Sequence, residues 1–154
     1  MQLIDAAGVI AAIVAGAIAA PAWAALGERA DSIAADEAAL AAARGQADER
    51  PAFRVERLDS PARTVREYVA PSGVVFAVTW EGLSPPDLDA VLGAYAAPVR
   101  RAFAQGGGGH TGRRARRIEA EGAVVESWGH MRAMRGRAYV PALVPTGVAL
   151  DEIR

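Results

Sequence analysis

The sequence predicts an α+β fold in which an antiparallel sheet, made of two three-stranded meanders, packs against one amphipathic helix and a short N-terminal helix. Three strand-like runs with short turns precede the helical segment, and three more follow it. The strongest pattern is at residues 66–82 (REYVAPSGVVFAVTWEG), where Pro71, Ser72 and Gly73 mark a tight turn. Residues 74–80 form an almost unbroken apolar run, which is typical of a strand buried on both faces.

The first meander is predicted at residues 53–58, 64–70 and 74–80. In its third strand, simple alternation places Phe76, Val78 and Trp80 on one face and Val75 and Ala77 on the other. The apolar side chains of this strand are expected to contact the helix that follows.

The second meander is predicted at residues 116–120, 123–128 and 131–140. Glu121-Gly122 and Gly129-His130 are predicted to be its two-residue hairpin connections. Residues 105–114 (QGGGGHTGRR) are predicted to form a glycine-rich loop, and the two prolines of residues 141–154 favour an extended tail along the surface.

The amphipathic helix is predicted to begin at Ser84-Pro85-Pro86-Asp87, with Ser84 as the N-cap and Asp87 completing a capping box. Pro98 is expected to kink or split this helix near Ala97. The apolar stripe of the helix recurs at intervals of three and four, at Leu88, Val91, Leu92, Tyr95, Val99 and Phe103.

The short N-terminal helix is predicted to begin at Asp31 or Ser32 and to run to about Arg44, with Gly45 as its end. Its apolar side is thin, because only Ile33 and Leu40 lie on one face and the rest is mostly alanine. Good helix propensity without much apolar surface leaves its position on the domain open.

Residues 1–24 have the pattern of a secretory signal peptide. An uncharged run at residues 6–20 is followed by Pro21 and the small-x-small triplet Ala22-Trp23-Ala24, so cleavage is expected after Ala24. A single domain of residues 25–154 would then be periplasmic or secreted, with no stable membrane span. The first residues, MQLID, contain no Arg or Lys, and a retained membrane anchor is the alternative.

Composition excludes several kinds of site. The chain has no Cys, so it has neither disulfides nor thiolate metal ligands, and all 17 basic residues are Arg. Residues 25–96 carry an excess of acids and residues 97–154 an excess of arginines. This asymmetry predicts two halves that pack together and partly neutralise each other, whereas the alternative is a basic face for an anionic partner.

Known cofactor and nucleic-acid motifs are absent from the sequence. The glycine run at residues 106–109 leads through His110 into a strand, whereas a phosphate-binding loop needs Gly-Lys-Ser/Thr opening a helix. His110 and His130 lack zinc-site spacing, so no metal or cofactor is predicted. No nucleic-acid partner is predicted either, because no aromatic residues are interleaved in the densest basic cluster, Arg113, Arg114, Arg116 and Arg117.

The candidate binding residues lie in the second meander. With Arg132 and an acid such as Glu126, His130 could line a small-molecule or anion site, and Arg137 lies near enough in sequence to join it. The alternative is that Gly129 and His130 merely form a hairpin turn.

No nucleophile–base motif accompanies these residues, and no serine lies in a GxSxG elbow. The preferred function is therefore a non-catalytic binding or accessory module that acts through a protein or envelope partner. The alternative is a small enzyme or ligand-binding protein with a cleft near His130, Arg132 and Arg137. Converging side chains in an enclosed pocket would favour the second, and a flat sheet with an exposed apolar patch the first.

Several separated motifs resemble one family. They are AALG at 24–27, REYV at 66–69, VFAVTWEG at 75–82, PDL at 86–88, GHMR at 129–132 and GRAYVPAL at 136–143. Together they resemble an uncharacterised family of exported bacterial proteins, domain of unknown function 2844. The resemblance covers nearly all of residues 25–154 and implies an exported protein without an established activity, cofactor or partner.

Overall fold

The computed structural model describes residues 25–30, 41–106, 109–110 and 115–154, which contain one nine-stranded antiparallel sheet. The strand order is β1-β3-β4-β5-β9-β8-β7-β6, and β2 also pairs with β3. The two predicted meanders are confirmed as β3-β4-β5 and β7-β8-β9, and the pairing of β5 with β9 joins them into one sheet. The strands are β1 Ala43–Arg44, β2 Asp48–Glu49, β3 Arg54–Asp59, β4 Arg63–Val69, β5 Val75–Gly82, β6 Gly109–His110, β7 Arg116–Ala120, β8 Ala123–His130 and β9 Ala133–Tyr139.

The amphipathic helix is present in two parts, α1 (Leu88–Leu92) and α2 (Ala96–Ala104). The predicted cap is wrong: Asp87 is the N-cap and accepts a hydrogen bond of 3.0 Å from the backbone N–H of Asp89. Ser84 instead accepts a hydrogen bond from Arg63 Nη2 at 2.9 Å. The helix begins late because Pro86 disfavours helical backbone at the residue before it.

A 3₁₀ turn at Gly93–Tyr95 separates α1 from α2. The predicted break therefore lies just before Ala97, and Pro98 is the third residue of α2. A proline is tolerated in the first turn of a helix, where its missing N–H leaves no hydrogen bond broken. Gly93 adopts a positive φ of 52° at the junction.

Both helices pack on one face of the sheet, called here the helix face. The chain beside them is also fixed, since Leu26 is fully buried and its N–H donates to the carbonyl of Val91 at 3.1 Å. The buried core of this face consists of Leu26, Leu58, Val65, Val69, Val75, Val78, Trp80, Val91, Leu92, Ala96, Val99, Ala123, Val125, Ala138 and Val140.

Residues 141–154 cover the opposite face, called here the tail face. The predicted tail does lie on the surface for most of its length. It is not extended throughout, because it contains the 3₁₀ helices Pro141–Leu143 and Leu150–Glu152. Its Ile153 is fully buried against the aromatic cluster of Phe53, Tyr68 and Phe76. Tyr68 accepts a hydrogen bond from the N–H of Arg154 at 2.9 Å and donates one to its carbonyl at 2.7 Å. Because β5 is apolar on both sides, the sheet needs this second cover.

A β-bulge changes the predicted faces of β5. Val69 pairs with Val75 and Tyr68 with Ala77, which leaves Phe76 as the extra residue. Phe76 and Ala77 both pack on the tail face, whereas Val75 packs on the helix face. The predicted grouping of Phe76 with Val78 and Trp80 is therefore wrong, because simple alternation does not continue through a bulge.

One of the two predicted hairpin turns is confirmed. Glu121-Gly122 connects β7 and β8, but Gly129-His130 belongs to β8. The turn lies instead at Met131-Arg132, since His130 pairs with Ala133. Arg132, the second residue of this turn, has a positive φ of 70°, as in a type II turn.

The predicted N-terminal helix falls mostly on residues 31–40, which lie outside the described residues. Its predicted end is wrong, because Ala43–Arg44 is strand β1. Within the predicted glycine-rich loop, Gly109–His110 is strand β6. Across the described part of the chain, no helix is long and apolar enough to span a membrane.

Candidate functional site

Six side chains form a row across six neighbouring strands on the tail face. Each is the direct cross-strand partner of the next, and four of the six are arginines. This arginine row consists of Arg57, Arg66, Thr79, Arg137, Glu126 and Arg117.

The position of the row follows from the two-residue period of the strands. Two residues further along each strand lies an apolar row that includes Tyr68, Ala77 and Tyr139, and Ile153 covers it. The arginine row is thus the first polar row beyond the core of the tail face. The tail covers this row only in part.

Glu126 is held between two arginines of the row. Its carboxylate oxygens accept hydrogen bonds from Arg117 Nη1 and Arg137 Nε, both at 2.5 Å. Burial raises the pKa of Glu126, but the hydrogen bonds from Arg137 and Arg117 outweigh it, so the pKa lies below its ordinary value. Arg137 also donates to the carbonyl of Leu150 at 2.5 Å, which ties the tail to the row.

Arg66 of the arginine row also belongs to a second ion-pair group. Its partners Glu81 and Arg135 lie one row further from the core. Arg66 Nη2 donates to Glu81 Oε1 at 2.7 Å, whereas Arg135 Nε is 3.8 Å from Glu81 Oε2. The hydrogen bond from Arg66 and the charge of Arg135 hold the pKa of Glu81 below its ordinary value, against the effect of burial. Arg135 has the more exposed side chain, at 63% against 26% for Arg66.

An open cleft of about 470 Å³ lies over this group and is called here the arginine cleft. Its floor includes Thr79, which is 3% exposed and whose hydroxyl has no hydrogen-bond partner among the described residues. Trp128, on the same face as its cross-strand partner Arg135, is half-buried. The residues that line the cleft are Arg66, Thr79, Trp80, Glu81, Trp128, Arg135, Gly136 and Arg154.

A second cleft of about 350 Å³ adjoins the first, because Arg66 and Arg154 line both. Together the two clefts are lined by five arginines and three acidic residues. The arginines are Arg50, Arg57, Arg66, Arg135 and Arg154, and the acids are Asp48, Glu81 and Glu152.

The structure separates the residues that the sequence predicted as a site. Glu126 and Arg137 are in contact, but His130 and Arg132 are exposed at the end of the β8–β9 hairpin. His130 is four residues from Glu126 along β8, roughly 13 Å at ~3.3 Å per residue. Its Nδ1 lies 3.2 Å from the carbonyl oxygen of Met131, a local contact.

Sequence reasoning missed most of the cleft. Arg66 and Glu81 belong to the predicted hairpin, but nothing in the sequence aligns that hairpin with Arg135 and Trp128 of the second meander. The available signal was the two-residue spacing of Glu126 and Trp128 on one strand and of Arg135 and Arg137 on the next. It identifies shared faces but not the β5–β9 pairing that brings the two meanders together.

Two further carboxylates lie on the helix face, away from the cleft. Glu56 and Glu67 are cross-strand partners in β3 and β4, and both are buried. Arg54 Nε contacts Glu56 Oε1 at 2.9 Å. Within the described ranges, no group of three or more His, Cys, Asp or Glu side chains could hold a metal ion. The tail face, by contrast, presents the arginines that line the two clefts, and guanidinium groups can bind anions.

Comparison with known proteins gives one match. A family model described as "Protein of unknown function (DUF2844)" matches residues 22–153. No curated protein and no solved structure matches the chain.

Proposed function

The chain belongs to the DUF2844 family, as its motifs predicted, and from this premise we propose that it is an exported, non-catalytic module that binds an acidic polysaccharide of the cell envelope. The binding surface is the part of the tail face formed by the arginine cleft and its neighbour.

The observation that carries this proposal is the continuity of the two clefts. Arg66 and Arg154 line both, so the two clefts are neighbours on the sheet, and together they are called here the groove. A groove suits a chain-like ligand, and the excess of arginines suits a ligand with repeated negative charge. Arginine is also the side chain that best matches a carboxylate, through paired N–H donors.

The shape of the groove favours a polysaccharide over an acidic peptide or a lipid surface. Extended peptides commonly add to an exposed strand edge, whereas this groove crosses strands on the face of the sheet, where the backbone is already paired. A bilayer would meet a flat or convex basic surface. Here Trp128 lies inside a concave cleft, where its ring can pack against the apolar face of a sugar.

A non-catalytic role is supported by the ionisation state of the carboxylates Glu81 and Glu126. Glu81 and Glu126 both have pKa values below the ordinary range and are paired with arginines, so they are ionised at neutral pH. A general acid needs a raised pKa. The alternative of an enzyme near His130 gains no support from the geometry, since His130 and Arg132 do not converge with Arg137.

Export is supported by the signal-peptide pattern of residues 1–24. Ala25 and Leu26 are fully buried, and Gly27 N–H donates to the carbonyl of Val75 at 2.8 Å. The domain therefore includes the residues directly after the expected cleavage site.

The test is binding of the mature protein, recovered from the envelope fraction, to immobilised polygalacturonate. We expect binding that weakens as salt increases, and loss of most of it in the double variant R66Q/R135Q. The matched control is R100Q/R101Q, because these exposed arginines lie on α2, on the other face. Equal binding to polyglutamate, to neutral dextran or to phosphatidylglycerol vesicles would contradict the proposal.

A further inference from the structure

Resting on the proposed function, we propose that the arginine cleft is a subsite for one uronic-acid unit of the polysaccharide. Arg135 binds its carboxylate beside the Arg66–Glu81 pair, Trp128 packs against its ring, and the hydroxyl of Thr79 forms a hydrogen bond with it. The inference names the sugar unit and the residues that select it.

Thr79 is the residue that a purely structural role explains least. It is the only polar side chain in the run VFAVTW of β5, and its hydroxyl is buried without a partner among the residues that the structure describes. An unsatisfied buried hydroxyl destabilises a fold, and valine would fill the same space. Because Thr79 lines the cleft, a ligand bound there would supply the partner that this hydroxyl lacks.

The arginine side chains that line the cleft outnumber its carboxylate side chains. Three arginines and one carboxylate line it, and Glu81 uses its short hydrogen bond on Arg66. Arg135 Nε lies 3.8 Å from Glu81 Oε2, beyond hydrogen-bond distance, and its guanidinium carries five N–H donors. An incoming carboxylate can therefore pair with Arg135 without displacing the hydrogen bond between Arg66 and Glu81.

The remaining surface of the cleft suits one sugar ring. Trp128 is half-buried beside Arg135, so an apolar ring face and a carboxylate are recognised next to each other. A cleft of about 470 Å³ is near the lower end of ligand sites, which span roughly 300–1,000 Å³. This volume fits a single monosaccharide, and the adjoining cleft receives the next unit of the chain.

The experiment measures the affinity of the mature protein for glucuronate and galacturonate by calorimetry, with glucose and acetate as comparison ligands. We expect the two uronates to bind, and glucose and acetate to bind at least tenfold more weakly, since each lacks one recognised group. T79V and W128A should each weaken uronate binding about tenfold, the equivalent of one lost hydrogen bond or packing contact.

The matched control is T64V. Thr64 lies on the same face, but its hydroxyl donates to Asp59 Oδ1 at 2.7 Å and does not line the cleft. T64V should leave uronate affinity unchanged. Circular dichroism of each variant separates loss of folding from loss of binding.

Several results would overturn the inference: no uronate binding at millimolar concentration, acetate binding as tightly as uronate, or unchanged affinity in both T79V and W128A. These failures differ from failure of the proposed function. If the wild type still binds polygalacturonate and the R66Q/R135Q variant does not, the proposed function stands and only the subsite is wrong.

Discussion

Gly136 of β9 lies directly against the indole of Trp80 in β5. A Cβ atom at position 136 would stand 2.2 Å from Trp80 Cζ2 and 2.8 Å from the carbonyl oxygen of Glu126. The two residues are cross-strand partners in the pairing that joins the two meanders. Absence of a side chain at Gly136 therefore permits the central junction of the sheet.

The first prediction is that G136A destabilises the protein by about 3 kcal/mol, because Trp80 is buried and cannot move aside without disturbing the core. The free energy of unfolding in urea measures the effect. The matched control is G45A, since a Cβ there meets only side-chain atoms of Asp59 and Arg57 at 3.3–3.4 Å. A G136A protein as stable as G45A would show that the Trp80–Gly136 contact does not constrain the junction.

The second prediction concerns the attachment of the tail. Y68F removes the hydroxyl that binds both the N–H and the carbonyl of Arg154, and should cost about 1–2 kcal/mol. Hydrogen exchange should accelerate in residues 141–154 more than in the sheet. Tyr95 provides the control, because its hydroxyl has no hydrogen bond within the described residues. Uniform acceleration across the sheet and tail would contradict a local role for Tyr68.

These two predictions show which parts of the fold could be obtained from sequence. The meanders followed from alternation and turn residues, because strand pairing between neighbours depends on local signals. The β5–β9 junction depends on a contact between residues 56 positions apart, Trp80 and Gly136, for which no local pattern exists. The bulge at Phe76 was also invisible, since an extra residue in an apolar run leaves its composition unchanged.

The candidate site was less predictable than the fold, for a related reason. Arg137 and Glu126 belong to one hairpin, so local patterns can place them together, whereas Thr79 and Arg135 meet only through the joined sheet. The two prolines of the tail predict an extended segment along the surface, but they do not predict the burial of its end. Burial of Ile153 depends on the apolar tail face of β5, which becomes apparent only when the faces are assigned.

The third prediction uses the lowered pKa of Glu126. A carboxylate whose folded pKa lies below its unfolded value stabilises the fold above that unfolded value, here about 4.5, and this stabilisation is lost as the pH falls through the folded pKa. At pH 7 the free energy of unfolding of the wild type should exceed that of E126Q by about 1–3 kcal/mol, because the variant loses two charge-assisted hydrogen bonds. The difference should shrink below pH 4.5.

Urea unfolding of both proteins from pH 7 to pH 3 checks this dependence on Glu126. E119Q is the control, because Glu119 is exposed and lies 3.6 Å from Arg117 without a short hydrogen bond. A difference between wild type and E126Q that stays constant, or grows, towards acid pH would refute the assigned sign.

The fourth prediction concerns the N-terminus. Mass spectrometry of the protein recovered from the producing cells should give a chain that begins at Ala25, because Ala22-Trp23-Ala24 has the small-x-small pattern of a cleavage site. The A22R variant replaces one of the two small residues that this pattern requires and is expected to slow processing. Recovery of wild-type protein that begins at Met1 would contradict cleavage and favour the retained anchor.

The last prediction separates ligand binding at Thr79 from stability. T79V replaces an unsatisfied buried hydroxyl with a methyl group and should leave stability unchanged or raise it by about 1 kcal/mol. T64V should instead lower it by about 1 kcal/mol, because the hydrogen bond to Asp59 is lost. Urea unfolding of the two variants measures this opposite response. If T79V is destabilised as much as T64V, the Thr79 hydroxyl stabilises the fold itself, and the reason for assigning it to a ligand disappears.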